Sequence, residues 1–401
     1  HGGLLAEIFA AAMNANLGGR DHGAVYVERQ VVDWCRRLFA FPEEASGLLV
    51  SGTSMATLIA LAVARHHKAG RDLRAEGLGD LAGRLVGYAS SEAHGSVARA
   101  FEILGLGNKA LRRIPVADDL TIRIDALIRA IAEDRRRGLM PFCVIGTAGT
   151  VNTGAIDDLA ALGSLCAEQG LWLHVDGAFG ALAVLSERLR PMLAGIERAD
   201  SLAFDFHKWL HVQYDAGCVL VRRGDLHRAT FASRPDYLAS GTRGLAGGEP
   251  WFCDFGPELS RGFRALKVWF TLKEHGTRRL GEAIEANCDQ ARHLAGRVAA
   301  HPRLELMAPV RLNIVCFRVL APGLAPDALD ALNQELVADL QERGIAAPST
   351  TRLPAGLAIR VSITNHRTRT GDLDRLLEAT LTLAEQRLAQ TSTGGDASRD
   401  A

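Results

Sequence analysis

The stretch SLAFDFHKWLHVQYDAGCVL, residues 201–220, decides how the chain is read. Ser201 to Phe206 alternates as a buried strand does, and it runs straight into His207, Lys208 and an aromatic wall, Trp209. A lysine ammonium is costly to bury unless it is paired or stops being an ammonium. A strand that delivers a lysine into such a wall points to chemistry at Lys208.

Similar apolar runs stand on either side. GLLVS (47–51), RLVGYAS (84–90), ALRRIPV (110–116), PFCVIGTAG (141–149) and LWLHVDGA (171–178) precede the stretch, and GCVLVRR (217–223) closes it. Helix-length segments such as MATLIALAVARHHKAG and IDDLAALGSLCAEQG separate most of them. That rhythm predicts βαβ crossovers: an α/β fold with a mainly parallel seven-stranded sheet and helices on both faces. In such sheets ligands collect beyond the carboxyl ends of the strands. Ser51, Ser90 to His94, Thr147 to Thr150, Asp176 and His207–Lys208 all fall at that one edge.

After RALKVWFTLKEHG the pattern changes. Helical stretches at 278–300 and 325–343 flank the strands LNIVCFRVL (312–320) and LAIRVSIT (357–364), and a helix follows at 371–388. The expected organisation is a large domain over 1–273, a small α+β domain over 274–389 and a disordered polar tail over 390–401. At the other end Leu4, Leu5, Ile8, Phe9, Ala12 and Met13 share one helical face, which reads as a packed amphipathic helix. The chain opens without Met, so an upstream segment is expected.

Composition narrows the function. Lys+Arg and Asp+Glu both total 46, leaving no basic surplus for nucleic acid or an anionic membrane. No stretch approaches the roughly 20 apolar residues of a membrane helix. Seven scattered cysteines with no C-x-x-C pair favour reduced thiols in a cytoplasmic protein over disulfides or a metal site.

A lysine and an acid at neighbouring strand ends, Lys208 and Asp176, suit a pyridine ring carrying an aldehyde. The amine condenses with the aldehyde, and the carboxylate keeps the ring nitrogen protonated as an electron sink. A structural salt bridge is the alternative for either residue alone. Gly52-Thr53-Ser54, between a strand and a helix, offers backbone N–H groups and hydroxyls to the phosphate of such a cofactor. His94, opening another helix, can stack on the ring or cap its own helix. Thr150 is a further ring or phosphate neighbour, and Asp205 and His207 are candidate phosphate-side contacts.

These residues resemble the group II pyridoxal-phosphate decarboxylases, which include aromatic L-amino-acid, histidine and glutamate decarboxylases. The resemblance runs from MNANLGG and ERQVVDWCRRLF through SSEAHGSVARA, WLHVDGAFG, DFHKWL and SRGFRALKVWF to AIRVSITN. It implies the aspartate-aminotransferase-like fold (fold type I), pyridoxal 5'-phosphate as cofactor, and a homodimer with its sites at the subunit interface. It makes Lys208 the lysine joined to the cofactor, Asp176 the partner of the ring nitrogen, His94 the stacked histidine and Ala178 a ring-face contact. Gly52, Thr53, Ser54 and His207 become phosphate-side residues, with Asp205 standing where an asparagine is common.

The implied reaction is decarboxylation of an L-amino acid, aromatic by resemblance, to an amine and CO2. In the family a tyrosine on a mobile loop before RGFRALK returns the proton to Cα. Here that position falls on Trp251 or Phe252, and no tyrosine lies between Tyr237 and the chain end. Relatives with phenylalanine there act as aldehyde synthases, so oxidative deamination to an aldehyde stands as the alternative. A lyase acting on a phosphorylated long-chain amine and a cofactor-free scaffold are the remaining readings.

Overall fold

A computed structural model describes residues 2–233 and 241–394. The chain divides into two compact units. The first comprises His1–Val151 with Ile156–Glu282, and the second Asn152–Ala155 with Ala283–Ala401.

The first unit is built on seven strands: β1 (Ser46–Val50), β2 (Leu85–Ser90), β3 (Leu111–Ile114), β4 (Met140–Thr147), β5 (Trp172–Asp176), β6 (Ser201–Asp205) and β7 (Gly217–Val221). Their order is β1-β7-β6-β5-β4-β2-β3. β3, β2, β4, β5 and β6 pair in parallel, while β7 runs antiparallel between β6 and β1. The reversal has a local cause. A parallel return needs a crossover of a dozen or more residues, and the segment joining β6 to β7 is too short for one.

Burial explains the composition. β2, β5, β6 and β7 are buried along their whole length and read as continuous apolar runs because helices cover both faces. The helix Thr53–Ala69 has almost no polar face. It buries Ala56, Ile59, Ala60, Leu61 and Val63 among the sheet, the helix Gly95–Ile103 and Phe252 and Phe255. The helix Ala265–Ala299 is interrupted at Gly276, whose φ of 69° with ψ of 163° is open to glycine and rare for other residues.

The second unit has its own core under a four-stranded antiparallel sheet in the order β10-β11-β9-β8. Its strands are β8 (Leu304–Leu306), β9 (Ile314–Val319), β10 (Ser349–Leu353) and β11 (Gly356–Ser362). β9 falls within the first expected strand, and β11 overlaps the second, starting one residue before it. β8 and β10 were not anticipated: they are the edges, one very short and the other, STTRL, largely polar, as edge strands often are. The last helix, Thr370–Gly394, runs into the expected tail, so 390–394 are helical; 395–401 lie outside the described residues.

The N-terminal helix Gly2–Met13 corrects its expected orientation. Leu4, Leu5, Ile8, Phe9 and Met13 are 54, 52, 57, 52 and 57% exposed, and the helix buries Gly3 and Ala6 instead. Small residues let its backbone come close: a side chain at Gly3 would meet Gln213 and Thr271. Glu7 fixes the helix by pairing with the buried Lys267 at 2.9 Å. The apolar stripe faces away from its own chain.

Candidate active site

The carboxyl ends of β1, β2, β4, β5 and β6 converge on one edge of the sheet, and the site grows from two buried acids there. Asp176 ends β5 and Asp205 ends β6; they are 4% and 2% exposed. Asp176 Oδ1 accepts the Ala178 N–H at 3.1 Å. Burial pushes its carboxyl above the ordinary value, against the Ala178 N–H and the nearby charges of Lys208 and His94; Asp205 adds to the upward push. A buried acid facing a cation and a histidine is poised to hold a proton-bearing partner.

Asp205 is the junction of the other half. Its Oδ1 accepts the Thr53 N–H at 2.7 Å, and its Oδ2 lies 3.0 Å from Lys208 Nζ and 3.7 Å from His207 Nε2. His207 Nδ1 accepts the Ala216 N–H at 3.0 Å, which leaves the ring proton of the neutral imidazole on Nε2. Burial holds the His207 pKa below the usual histidine value, with Asp205 pulling the other way.

Lys208 is not buried as its sequence neighbours suggested: its side chain is 37% exposed. The reason is the short helix Phe206–Trp209. One helical turn sends Phe206 and Trp209 inward together, three positions apart, where Trp209 stacks on Phe179 at 5.0 Å. His207 and Lys208 are left toward the site.

The other expected residues fall as follows. His94 is exposed and caps the helix Gly95–Ile103; its Nδ1 accepts the Ser96 N–H at 3.1 Å, so the proton of its neutral ring sits on Nε2. Gly52 approaches His207, where a side chain would meet the imidazole at 3.3 Å. Thr53 is buried with its Oγ1 unpartnered, and Ser54 is exposed one residue further along the same helix start. Thr147, paired with Asp176 in register, also has a buried, unpartnered Oγ1. Thr150 is buried in the turn after β4, and Ala178 follows Asp176.

Trp251 and Phe252 do not belong to this constellation. They are 1% and 6% exposed. Trp251 Nε1 donates to Gly247 O at 2.8 Å, Arg20 lies over its ring, and Phe252 joins the main core. The expected substrate loop is therefore packed protein at these two positions. Residues 234–240, which include Tyr237, lie outside the described residues.

Two residues at the site were missed. Gly217 pairs with Asp205 across β6–β7, and a side chain there would strike Gly52 Cα at 2.5 Å and Asp205 Oδ1 at 2.7 Å. The Asp-Ala-Gly after a strand was its faint signal. Tyr214, 75% exposed, lays its ring on His207 with centroids 4.2 Å apart; nothing in the sequence pattern marks it.

The donor set fits pyridoxal 5'-phosphate. Lys208 would supply the amine and Asp176 the ring-nitrogen partner. The buried, unpartnered Thr53 Oγ1 at a helix N-terminus would supply a phosphate-side donor. Among the described residues no cluster of His, Cys, Asp or Glu is arranged to hold a metal ion, and no helix is long and apolar enough to cross a membrane.

Comparison with known proteins agrees. The pyridoxal-dependent decarboxylase conserved domain matches residues 2–320. The chain is 39% identical over 389 residues to an aromatic-L-amino-acid decarboxylase of Bacillus atrophaeus, covering 96% of this chain and 78% of that protein. It is 33% identical over 387 residues to the histidine decarboxylase of Homo sapiens, covering 93% of this chain and 56% of that one. Among solved structures, Oryza sativa TDC with PLP and tryptamine superposes with a TM-score of 0.89 at 26% identity, covering 96% of this chain and 81% of that one. The chain belongs to the pyridoxal-dependent decarboxylase family, with pyridoxal 5'-phosphate as its cofactor.

Proposed function

We propose that this protein removes CO2 from an aromatic L-amino acid and returns the amine, acting as a cytoplasmic homodimer. The observation that carries the reading is the buried Asp176 carboxyl at the end of β5, close enough to Lys208 and His94 to feel both charges. Bound pyridoxal 5'-phosphate supplies an electron sink for the pair left at Cα when CO2 departs. Asp176 keeps a proton on the ring nitrogen. Lys208 Nζ would hold the aldehyde end of the cofactor. His94, with its proton on Nε2, lies at the solvent side as a ring support and hydrogen-bond donor. Thr53, Ser54, Gly52 and His207 serve the phosphate end, and Thr150 and Ala178 flank the ring.

The amine is favoured over the aldehyde because the ground for the alternative has weakened. Trp251 and Phe252 are core residues, so neither stands in for the loop tyrosine of the family. Two of the four tyrosines are engaged elsewhere: Tyr26 donates to Asp21 at 2.6 Å and Tyr88 to Asp134 at 3.0 Å. Tyr237 precedes RGFRALK, as the family's proton donor does, and we assign it that role. The aromatic substrate rests on the 39% relative, and an imidazole substrate is the competing outcome. The homodimer is supported by the outward apolar stripe of the helix Gly2–Met13. The cytoplasmic assignment is supported by seven free, buried cysteines.

The deciding experiment incubates the loaded protein with each of the twenty amino acids and measures CO2, amine, aldehyde and peroxide. Equal CO2 and amine from an aromatic substrate are expected. Aldehyde and peroxide in step with CO2 would overturn the amine reading. The Y237F variant is expected to move product from amine to aldehyde.

A further inference from the structure

Asp205 stands where the family commonly has asparagine, and the exchange changes what the position can do. An amide donates and accepts, whereas an ionised carboxylate only accepts. Asp205 has no donor to offer a phosphate, and its oxygens are already engaged. Oδ1 holds the N–H of Thr53, the first residue of the helix Thr53–Ala69, and Oδ2 holds Lys208 Nζ. The carboxylate thus uses one donor of the anion-binding helix end and sets a buried negative charge beside it.

Little around it offsets that charge. Lys208 is the cation at hydrogen-bond distance. His207 Nε2 stands off at 3.7 Å, and burial favours the neutral imidazole there. The facing positions on β7 and the β1 turn, Gly217 and Gly52, carry no side chain. Asp176 on the neighbouring strand is a second buried acid on which Asp205 acts, whereas Asp215 in the following loop, which acts on His207, is itself paired with Arg264 at 3.1 Å. His94 is the remaining titratable group near Asp176.

We propose that Asp205 is a positioning residue that ties the phosphate-binding helix end to Lys208 and, by its charge, loosens the hold on the cofactor phosphate. This chain then discriminates less between pyridoxal phosphate and unphosphorylated pyridoxal than it would with asparagine at 205. Its cofactor occupancy follows the free cofactor concentration. The proposal rests on the cofactor assignment made above.

The test titrates cofactor-free protein with pyridoxal phosphate and, separately, with pyridoxal, reading absorbance and tryptophan fluorescence. D205N is expected to bind pyridoxal phosphate about tenfold more tightly, about 1.4 kcal/mol, with pyridoxal binding almost unchanged. The gain should shrink as salt is raised. D205S, neutral and still an acceptor for the Thr53 N–H, repeats the test if D205N folds poorly. Equal or weaker pyridoxal phosphate binding by a normally melting variant would overturn the proposal, as would an equal gain for both ligands. Borohydride trapping of the wild type separates the two levels. A label at Lys208 with no D205N effect sinks this inference alone, whereas no label at Lys208 sinks the cofactor assignment beneath it.

Discussion

The strand-end edge of the sheet and the helix Gly2–Met13 break the same rule in opposite directions. At the edge, the carboxyls of Asp176 and Asp205 are taken almost wholly out of water. On the helix, Leu4, Leu5, Ile8, Phe9 and Met13 are large apolar groups more than half exposed. Buried acids without full compensation cost free energy, and contiguous exposed apolar side chains forgo it. A fold tolerates either where another molecule completes the contact. The edge, polar and buried, suits a small charged ring. The helix face, apolar and exposed, suits another protein surface.

The strongest way to break the comparison is at the edge. Lys208→Ala should abolish covalent capture of the cofactor and lower turnover by at least about 10³-fold, read by borohydride labelling and CO2 release. Retained labelling would show that a different lysine is used. Asp176→Asn should keep the labelling at Lys208 but cost about 10²- to 10³-fold in kcat, because an amide cannot hold the ring proton electrostatically. A kcat within a few-fold of wild type would move Asp176 from chemistry to structure.

The helix face is tested by charge. Leu5→Asp with Ile8→Asp removes about 1.5–3 kcal/mol of apolar burial per site, so a dimer built on this face should weaken by at least about 10²-fold. Sedimentation velocity over a concentration series reads this, and an unchanged assembly would rule the stripe out of the interface. Glu7→Gln, which keeps the stripe but loses the pair with Lys267, should leave the assembly nearly intact.

The smallest effect sharpens the contrast inside the edge itself. His174, two residues before Asp176, is fully buried between Thr57 Oγ1 at 3.1 Å and Ser201 Oγ at 2.9 Å, and burial pushes its pKa from 6.5 down to about 3. Unfolding returns the imidazole to its ordinary value, so the unfolded state binds a proton that the folded state excludes. Its contribution to stability is whole above about pH 6.5 and is lost as pH falls toward about 3, by about 1.4 kcal/mol per unit. His174→Gln should flatten the acid limb of unfolding free energy by that amount; an unaltered slope would place the proton elsewhere.

Much of this was legible in the chain itself. All seven strands of the large sheet were readable because they are short, mostly apolar runs bounded by turns, the edge strand Leu111–Ile114 alone carrying two arginines, and strand ends pointed to Lys208, Asp176 and Gly52–Ser54 as candidates. The errors share a cause. Trp251 and Phe252 were placed on a loop from their distance to RGFRALK, but spacing along the chain carries no information about which ring the core takes in. The stripe of the first helix was read as inward because periodicity reports that one face is apolar, not which way it points. Lys208 was thought buried because its neighbours are, and a single helical turn separated them.

The sequence by itself determined the α/β order of elements and nominated a lysine and an acid at neighbouring strand ends, since these follow from local periodicity and from where residue types fall along it. Tertiary structure alone decided that Asp205 bridges Thr53 and Lys208, that Gly217 must lack a side chain, and that the N-terminal stripe turns outward. Those facts depend on distances between segments far apart in the chain, and close packing sets such distances only once every strand and helix is in place.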